Sequence, residues 1–226
     1  MSLPTSPPAP RRTFFKDPAS ALTHFVGFVI ALVGLWALLD RTVSTASTAG
    51  MAVYGTSLAL LFLASSIYHF FDIGEQGNRW LQRLDHVAIF LLIAGTYVPV
   101  CLWLLDGAWR IGMLVLIGVI ALAGSVLKLV WIDCPTRLST ALYLALGWIV
   151  IIPAHRIFPQ LTTEQLAWLV GGGLTYTLGA LVYVAERPDP WPRVFGHHDV
   201  WHLFVLGGAA AHFGFAWTLL GQPMPA

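Results

Sequence analysis

The sequence predicts an all-α, polytopic membrane protein built as a bundle of seven transmembrane helices. Of its 226 residues, 57% are hydrophobic and only 10% are charged, whereas a soluble domain carries about 25% charged residues. The mean hydropathy is +0.74. Seven separate stretches are apolar over the length of about 20 residues that a bilayer core requires. A water-solvated surface of the usual kind cannot be built from this composition.

Short connections containing glycine, proline or aspartate separate the seven apolar stretches. The spans are predicted at residues 20–39, 48–71, 84–105, 109–131, 138–156, 163–185 and 199–221. Residues 20–222 are therefore expected to form one seven-span membrane domain. Residues 1–19 precede it as a tail, in which the basic and aromatic residues at 11–16 suit a short interfacial segment.

The basic residues predict the orientation, because cytoplasmic loops carry an excess of Lys and Arg. Nine of the twelve fall on the side of the membrane that holds the amino terminus: Arg11, Arg12, Lys16, Arg79, Arg83, Lys128, Arg137, Arg187 and Arg193. The other side receives three, namely Arg41, Arg110 and Arg156. We therefore expect a cytoplasmic amino-terminal tail and an exterior carboxyl terminus.

Composition also argues against several classes of protein. The 12 basic residues are balanced by 11 acidic ones, so a polybasic nucleic-acid-binding protein is not expected. Two cysteines cannot make a disulfide scaffold. A retinal protein needs a lysine for its Schiff base, and neither Lys16 nor Lys128 lies in the seventh span.

Polar side chains at the ends of the apolar spans are informative, because burying them costs free energy unless they have partners. In the predicted orientation, His69 ends span two at the cytoplasmic side and Asp85 begins span three there. His198 and His202 begin span seven at the same side. Three spans therefore contribute polar groups at one membrane level.

The spacing of these histidines predicts a zinc site. His198 and His202 are four residues apart and share a helical face, about 6 Å apart along the axis, as paired histidines do in zinc-binding helices. His69 would complete three histidines, which with one water form a catalytic zinc shell. Asp85 is then the nearest carboxylate for proton transfer. Ser65, one turn deeper than His69, would orient a water or ligand at the metal.

Other interpretations of the histidines stay open. Two histidines four residues apart are also compatible with a purely structural role. Bis-histidine haem ligation is possible in principle, although opposed axial ligands normally come from two different helices. His24 and His212 suit hydrogen-bonded packing between helices, and His86 suits packing or a partner on a neighbouring helix. His212 lies about 15 Å deeper than His202 and off its face, so it should not share the ion; its alternative role is to line an inner cavity.

Three motifs occur in a specific order along the chain. They are SSIYH at 65–69, LDHVAIFLLIAGTYVP at 84–99, and HHDVWH at 197–202 running on to HF at 212–213. Together they resemble the hemolysin III family, the bacterial branch of the progestin and adipoQ receptor (PAQR) superfamily. The resemblance covers nearly the whole chain from Asp17, where bacterial relatives are expected to carry glutamate.

The resemblance implies a seven-span protein of the bacterial plasma membrane with a cytoplasmic amino terminus. It also implies a zinc ion near the cytoplasmic face, held by His69, His198 and His202, with Ser65 and Asp85 matching the serine and aspartate of the family motifs. The superfamily is similar to alkaline ceramidases in its motif layout, and its receptor members are associated with amide hydrolysis of ceramide-like lipids. Bacterial members are named for haemolytic activity and are linked to membrane-fluidity homeostasis.

Three functions follow as hypotheses. The first is a metal-dependent hydrolase that acts on an amide or ester bond of a membrane lipid in lipid homeostasis. The second is a non-enzymatic sensor or receptor, in which zinc only joins the spans. The third, a pore-forming cytolysin (hemolysin), is disfavoured as a primary role because all seven spans look like permanent membrane helices. An open coordination position would favour the enzyme, and a fourth protein ligand would favour the structural site.

Overall fold

The structure is a computed structural model that describes residues 16–191 and 194–225, and this part of the chain contains helices and no β-strand. The helices are α1 (Pro18–Asp40), α2 (Thr45–Phe70), α3 (Glu75–Leu104), α4 (Gly107–Val130), α5 (Thr136–Gly147), α6 (Ala154–Ile157), α7 (Thr163–Ala185) and α8 (His197–Leu219). Most of the predicted tail, including residues 11–15 of the interfacial segment, lies outside the described residues, as does Arg193.

Six helices are long and apolar enough to cross a membrane: α1, α2, α3, α4, α7 and α8. A bent pair of helical segments, Thr136–Ile151 and Ala154–Gln160, which meet at 43°, is a further candidate for a crossing. With this pair counted as one span, the described chain crosses seven times. The predicted fold class, an all-α polytopic membrane bundle, is confirmed.

The fifth span differs from the continuous helix predicted at 138–156. Its α-helical part ends at Gly147, continues as a 3₁₀ turn over Trp148–Ile151, and resumes beyond Pro153. Proline removes a backbone donor, and its ring clashes with the carbonyl four residues earlier, which breaks a helix. The Tyr97 hydroxyl compensates, since it accepts from Val150 N–H at 2.8 Å and donates to the Gly147 carbonyl at 2.7 Å. A buried side chain from α3 thereby satisfies backbone groups that the break releases.

Helix α3 also differs from its prediction, because it begins at Glu75 rather than near residue 84. Its first turns are polar and lie beyond the apolar part of the span. Arg79 pairs there with Asp133 at 2.5 Å, and Arg83 Nε donates to the Leu129 carbonyl at 3.0 Å. Hydropathy alone underestimated the length of this helix, because its polar first turns are held by contacts with the end of α4 and with the loop after it.

The helices form a closed ring in chain order, because α5 packs between α4 and α7, and α8 packs against both α7 and α1. Helix α3 contacts α2, α4, α5 and α8, so it is the most central element. The outer face of α1 exposes a stripe of apolar side chains at helical spacing, including Leu22, Val26, Val29, Val33 and Trp36. Such faces suit contact with lipid acyl chains. The ring closure brings the start of α8 beside the start of α1 and the end of α2.

We expect the carboxyl terminus to lie outside the cytoplasm. The physical reason is the excess of nine basic residues over three on the amino-terminal side. Alkaline phosphatase, which is active only outside the cytoplasm, should be active when it is fused after α8 and inactive when it is fused in the loop between α7 and α8. Activity of the loop fusion together with inactivity of the terminal fusion would contradict the orientation.

Candidate metal centre

Three histidine side chains converge where α2 ends and α8 begins. His198 Nε2 lies 3.3 Å from His69 Nε2 and 3.1 Å from His202 Nε2. The three ligand atoms all lie within 4.8 Å of one another, and no other His, Cys, Asp or Glu among residues 16–191 and 194–225 joins the group. The structure therefore brings together the three histidines that the sequence predicts as metal ligands.

Two of the three separations between the ring nitrogens, those that involve His198, fit a metal ion. Two imidazole nitrogens bound tetrahedrally to zinc at about 2.0–2.1 Å would lie roughly 3.3 Å apart, close to the observed 3.1 and 3.3 Å. Imidazole is a donor that suits zinc, as well as copper, iron and nickel. The group can hold an ion of this class, and its donor set does not distinguish zinc from the others.

Asp17 holds His69 through its other ring nitrogen. Asp17 Oδ2 lies 3.0 Å from His69 Nδ1, and Asp17 N–H donates to the His69 carbonyl at 2.9 Å. The hydrogen bond with His69 lowers the pKa of Asp17, so this residue is a carboxylate at neutral pH. A carboxylate that accepts from Nδ1 leaves the Nε2 lone pair for a metal. The sequence analysis did not predict this contact. The feature that could have indicated it is a carboxylate directly before the first span, at the membrane level of His69.

Loss of the Asp17 carboxylate should weaken metal binding. The variant Asp17→Asn should bind zinc about 10–100-fold more weakly, because carboxylates that orient ligating histidines contribute effects of this size. Asp17→Glu should stay closer to wild type, since it retains the carboxylate. Competition with a chelator of known affinity measures the change, and Asp133→Asn, which alters the exposed pair with Arg79, is the control. Equal affinity of Asp17→Asn and wild type would show that the contact does not tune the site.

A second carboxylate fixes the start of α8. Asp199 Oδ1 accepts from the Ser20 hydroxyl at 2.6 Å, and Asp199 Oδ2 accepts from Gly196 N–H at 2.9 Å. The first contact ties α8 to α1, and the second caps the helix. Together they set the rotation at which α8 presents His198 and His202.

Aromatic rings pack around the ligands. His202 is 0% exposed and stacks on His24 with ring centroids 3.8 Å apart. Tyr183 and Trp201 flank His198 at 5.7 and 5.2 Å between centroids. The predicted packing role of His24 agrees with this stack. The hydrogen bond expected for His24 is not found, since neither of its ring nitrogens has a hydrogen-bond partner within the described chain.

Asp85 and Ser65 lie beside the histidine group. Both side chains are buried, and both line the same cavity as His69. Ser65 belongs to α2, which also carries His69, and Asp85 belongs to α3. Neither residue is one of the three convergent ligands. The structure thus places both predicted catalytic side chains in the cavity that the histidine group also lines.

A cavity of about 670 Å³ extends from the histidine group into the bundle. Its volume lies in the range of small-molecule sites, about 300–1,000 Å³. Apolar side chains of α3 and α7 form much of its wall, including Ile89, Leu92, Ile93 and Val170. Polar groups are concentrated at the histidine end. This distribution suits an amphiphile with its polar part at the histidines.

His212 is separate from the metal group but lines the cavity. Its Nδ1 lies 3.0 Å from the Gly208 carbonyl in its own helix, which corrects the expected hydrogen bond between helices. The contact between helices is a stack on Tyr176 of α7, with centroids 5.4 Å apart. A Cβ atom on Gly172 would lie 2.7 Å from the His212 ring, so the stack needs glycine there.

Replacement of His212 by alanine should lower stability and leave the metal in place. We expect a loss of about 1 kcal/mol, because the stack and one buried hydrogen bond disappear. Thermal unfolding in detergent and metal analysis measure the two effects, with His155→Ala at the exposed opposite end of the bundle as the control. Loss of metal from His212→Ala would mean that α8 is broken near its glycines. Full stability combined with loss of function would favour a direct role in the cavity.

Comparison with known proteins places this architecture in a family. The family model described as "Haemolysin-III related" matches residues 12–213. The chain is 33% identical over 204 residues to the "Hemolysin-3 homolog" of Bacillus subtilis, covering 89% of this chain and 92% of that protein. It is 32% identical over 201 residues to the "Hemolysin-3" of Bacillus cereus, with 88% and 89% covered. It is also 28% identical over 218 residues to the human "Monocyte to macrophage differentiation factor", with 92% and 86% covered. This multi-pass membrane protein with a three-histidine group therefore belongs to the haemolysin III family within the PAQR superfamily.

Proposed function

We propose that the protein is a zinc-dependent membrane hydrolase that cleaves an amide or ester bond of a membrane lipid. The observation that carries the proposal is the position of the histidine group at the polar end of a largely apolar cavity, with a buried carboxylate beside it. Zinc is the ion chosen because three histidines are a common catalytic zinc shell.

The number of protein ligands supports an enzyme over a purely structural site. Structural zinc sites normally have four protein ligands, whereas catalytic sites have three and leave a position for water or substrate. Three histidines converge in the described chain, and no further candidate ligand joins them there.

His69, His198 and His202 would hold the zinc ion, which would act as a Lewis acid that polarises a carbonyl and makes water more acidic. Asp85 accepts a proton from the attacking water and returns it to the leaving amine or alcohol. The hydroxyl of the water ends on the carboxylic acid product, and its proton ends on the leaving group. The buried Ser65 hydroxyl, which lines the same cavity as Asp85, orients this carboxylate. The apolar walls of the cavity hold the acyl chain and exclude bulk water.

A receptor or sensor is the second candidate, and one observation favours it. The histidine group joins the end of α2 to the start of α8, and Asp17 adds the start of α1. A metal in this position would stabilise the ring closure without any turnover.

Turnover of a lipid extract separates the two candidates. Purified protein should release free fatty acid together with an amine or alcohol, detected by mass spectrometry. Chelation should stop the release and zinc should restore it. Protein that retains one zinc per chain but releases nothing from any lipid class would contradict the hydrolase and favour the receptor.

A further inference from the structure

We infer that Lys128, with Ser139 and Cys134, forms a second polar site in the cavity that binds an anionic group, carboxylate or phosphate, carried by the lipid held there. The inference rests on the proposed function, from which it takes the presence of a lipid in the cavity. It narrows the substrate or product to anionic amphiphiles. It is carried by a buried cation that faces the cavity.

Lys128 lies in the last turn of α4 and is 2% exposed. Its Nζ donates to Ser139 Oγ at 2.6 Å and to Cys134 Sγ at 3.2 Å. A lysine ammonium has three donors, so these contacts leave one. All three side chains line the cavity. The remaining donor is therefore available to a group inside it.

No carboxylate pairs with Lys128 in the part of the chain that the structure describes. Asp133, on the loop after α4, is instead paired with Arg79 at 2.5 Å. A buried charge without a counter-charge is costly, and a lysine near the end of a span normally extends to the interface. Lys128 does not extend outward, so an anion in the cavity would supply the missing charge.

Lys128 lines the same cavity as His69 and His198 of the candidate metal centre. His86 of α3 lines this cavity as well. Its Nδ1 lies 3.1 Å from the Tyr143 hydroxyl of α5. His86 and Tyr143 thus connect the two polar sites along the same end of the cavity. A lipid whose anionic group is close to the cleaved bond would contact both sites, and a fatty-acid product would bind Lys128 through its one carboxylate.

The competing explanation is structural, because the Lys128 contacts also join α4 to α5. Binding measurements separate the two roles. The probe is radiolabelled palmitate bound to purified protein in detergent, and the competitors are unlabelled palmitate, hexadecyl phosphate and the uncharged hexadecanol. Wild type should bind the two charged amphiphiles roughly tenfold to hundredfold more tightly than the alcohol, as expected for a hydrogen bond to a charged group.

Lys128→Met should lose this preference for the charged amphiphiles and bind hexadecanol as wild type does. Lys128→Arg keeps the positive charge and should retain the preference. If the methionine variant does not fold, the arginine variant still tests the inference, because a loss of the preference there would contradict it. Arg137→Met, which removes an exposed cation at the start of α5, is the matched control and should behave as wild type. An unchanged preference in Lys128→Met would overturn the inference and leave the structural role.

Two further arms separate the inference from the proposed function. After chelation the preference should persist, because Lys128 binds the anion without metal. If the preference for charged amphiphiles disappears on chelation, the anion binds at the histidines and the inference is overturned. The proposal that the protein is a hydrolase would be unaffected. A preference that persists in protein without turnover would support the inference and count against the hydrolase. Competition by acetate or inorganic phosphate at equal concentration would show that the site binds free anions, which overturns the lipid assignment.

Discussion

Replacing His202 by alanine should abolish metal binding. Wild-type protein should carry about one zinc per chain, and the variant should carry less than roughly a tenth of that. His202 supplies one of three convergent nitrogens, and its ring is fully buried against His24. Without it two protein ligands remain, fewer than the three or four that zinc sites have. Elemental analysis after dialysis against a weak chelator measures the loss.

Matched variants make the metal experiment specific. His155→Ala, at the exposed opposite end of the bundle, should retain the metal. His202→Gln removes the imidazole at smaller cost in volume and should also lose the ion if the effect is ligation rather than packing. A stoichiometric metal in both His202 variants would sink the assignment of this ligand. Haem absorbance in the wild-type protein would contradict zinc and indicate that these histidines bind haem.

Asp85→Asn should lower lipid turnover by about 10²–10⁴-fold, the range for a lost general acid–base group. The amide is nearly the same size as the carboxylate and cannot accept the proton of an attacking water. Because Asp85 lies beside the histidine group and is not one of its ligands, zinc content should not change. Initial rates on the lipid class identified with wild type, measured at saturating concentration, give the effect on kcat.

The control for this variant is Asp40→Asn, at the exposed far end of α1. It makes the same chemical change outside the cavity, and its turnover should equal that of wild type. If Asp85→Asn keeps full turnover, another group carries the proton. If it loses zinc as well, Asp85 acts through the metal ligands, and the loss of rate cannot be attributed to proton transfer.

Much of this fold and site is predictable because it depends on short-range patterns. Hydropathy locates the spans, and the spacing of His198 and His202 places both on one helical face. The level of His69 follows from counting spans. The contact between Asp17 and His69 joins residues 52 positions apart, and no periodicity indicates it. It depends on how α1 packs against α2.

Two other features required the tertiary structure. Pro153 is visible in the sequence, but the 3₁₀ turn before it depends on the Tyr97 hydroxyl, which satisfies the broken backbone from a different span. Lys128 was counted only as a basic residue at the end of span four. Its inward direction is set by Ser139 and Cys134, and hydropathy contains no information on the direction of a single side chain.

The closure of the ring by α8 has a consequence for biogenesis. Two of the three candidate ligands, His198 and His202, enter the membrane with the last helix, 129 and 133 residues after His69. A chain whose synthesis or insertion stops after α7 keeps one ligand and cannot assemble the centre. A metal ion at this group would therefore bind late, after complete insertion. Bound metal would distinguish a finished molecule from a truncated one that quality-control proteases should remove.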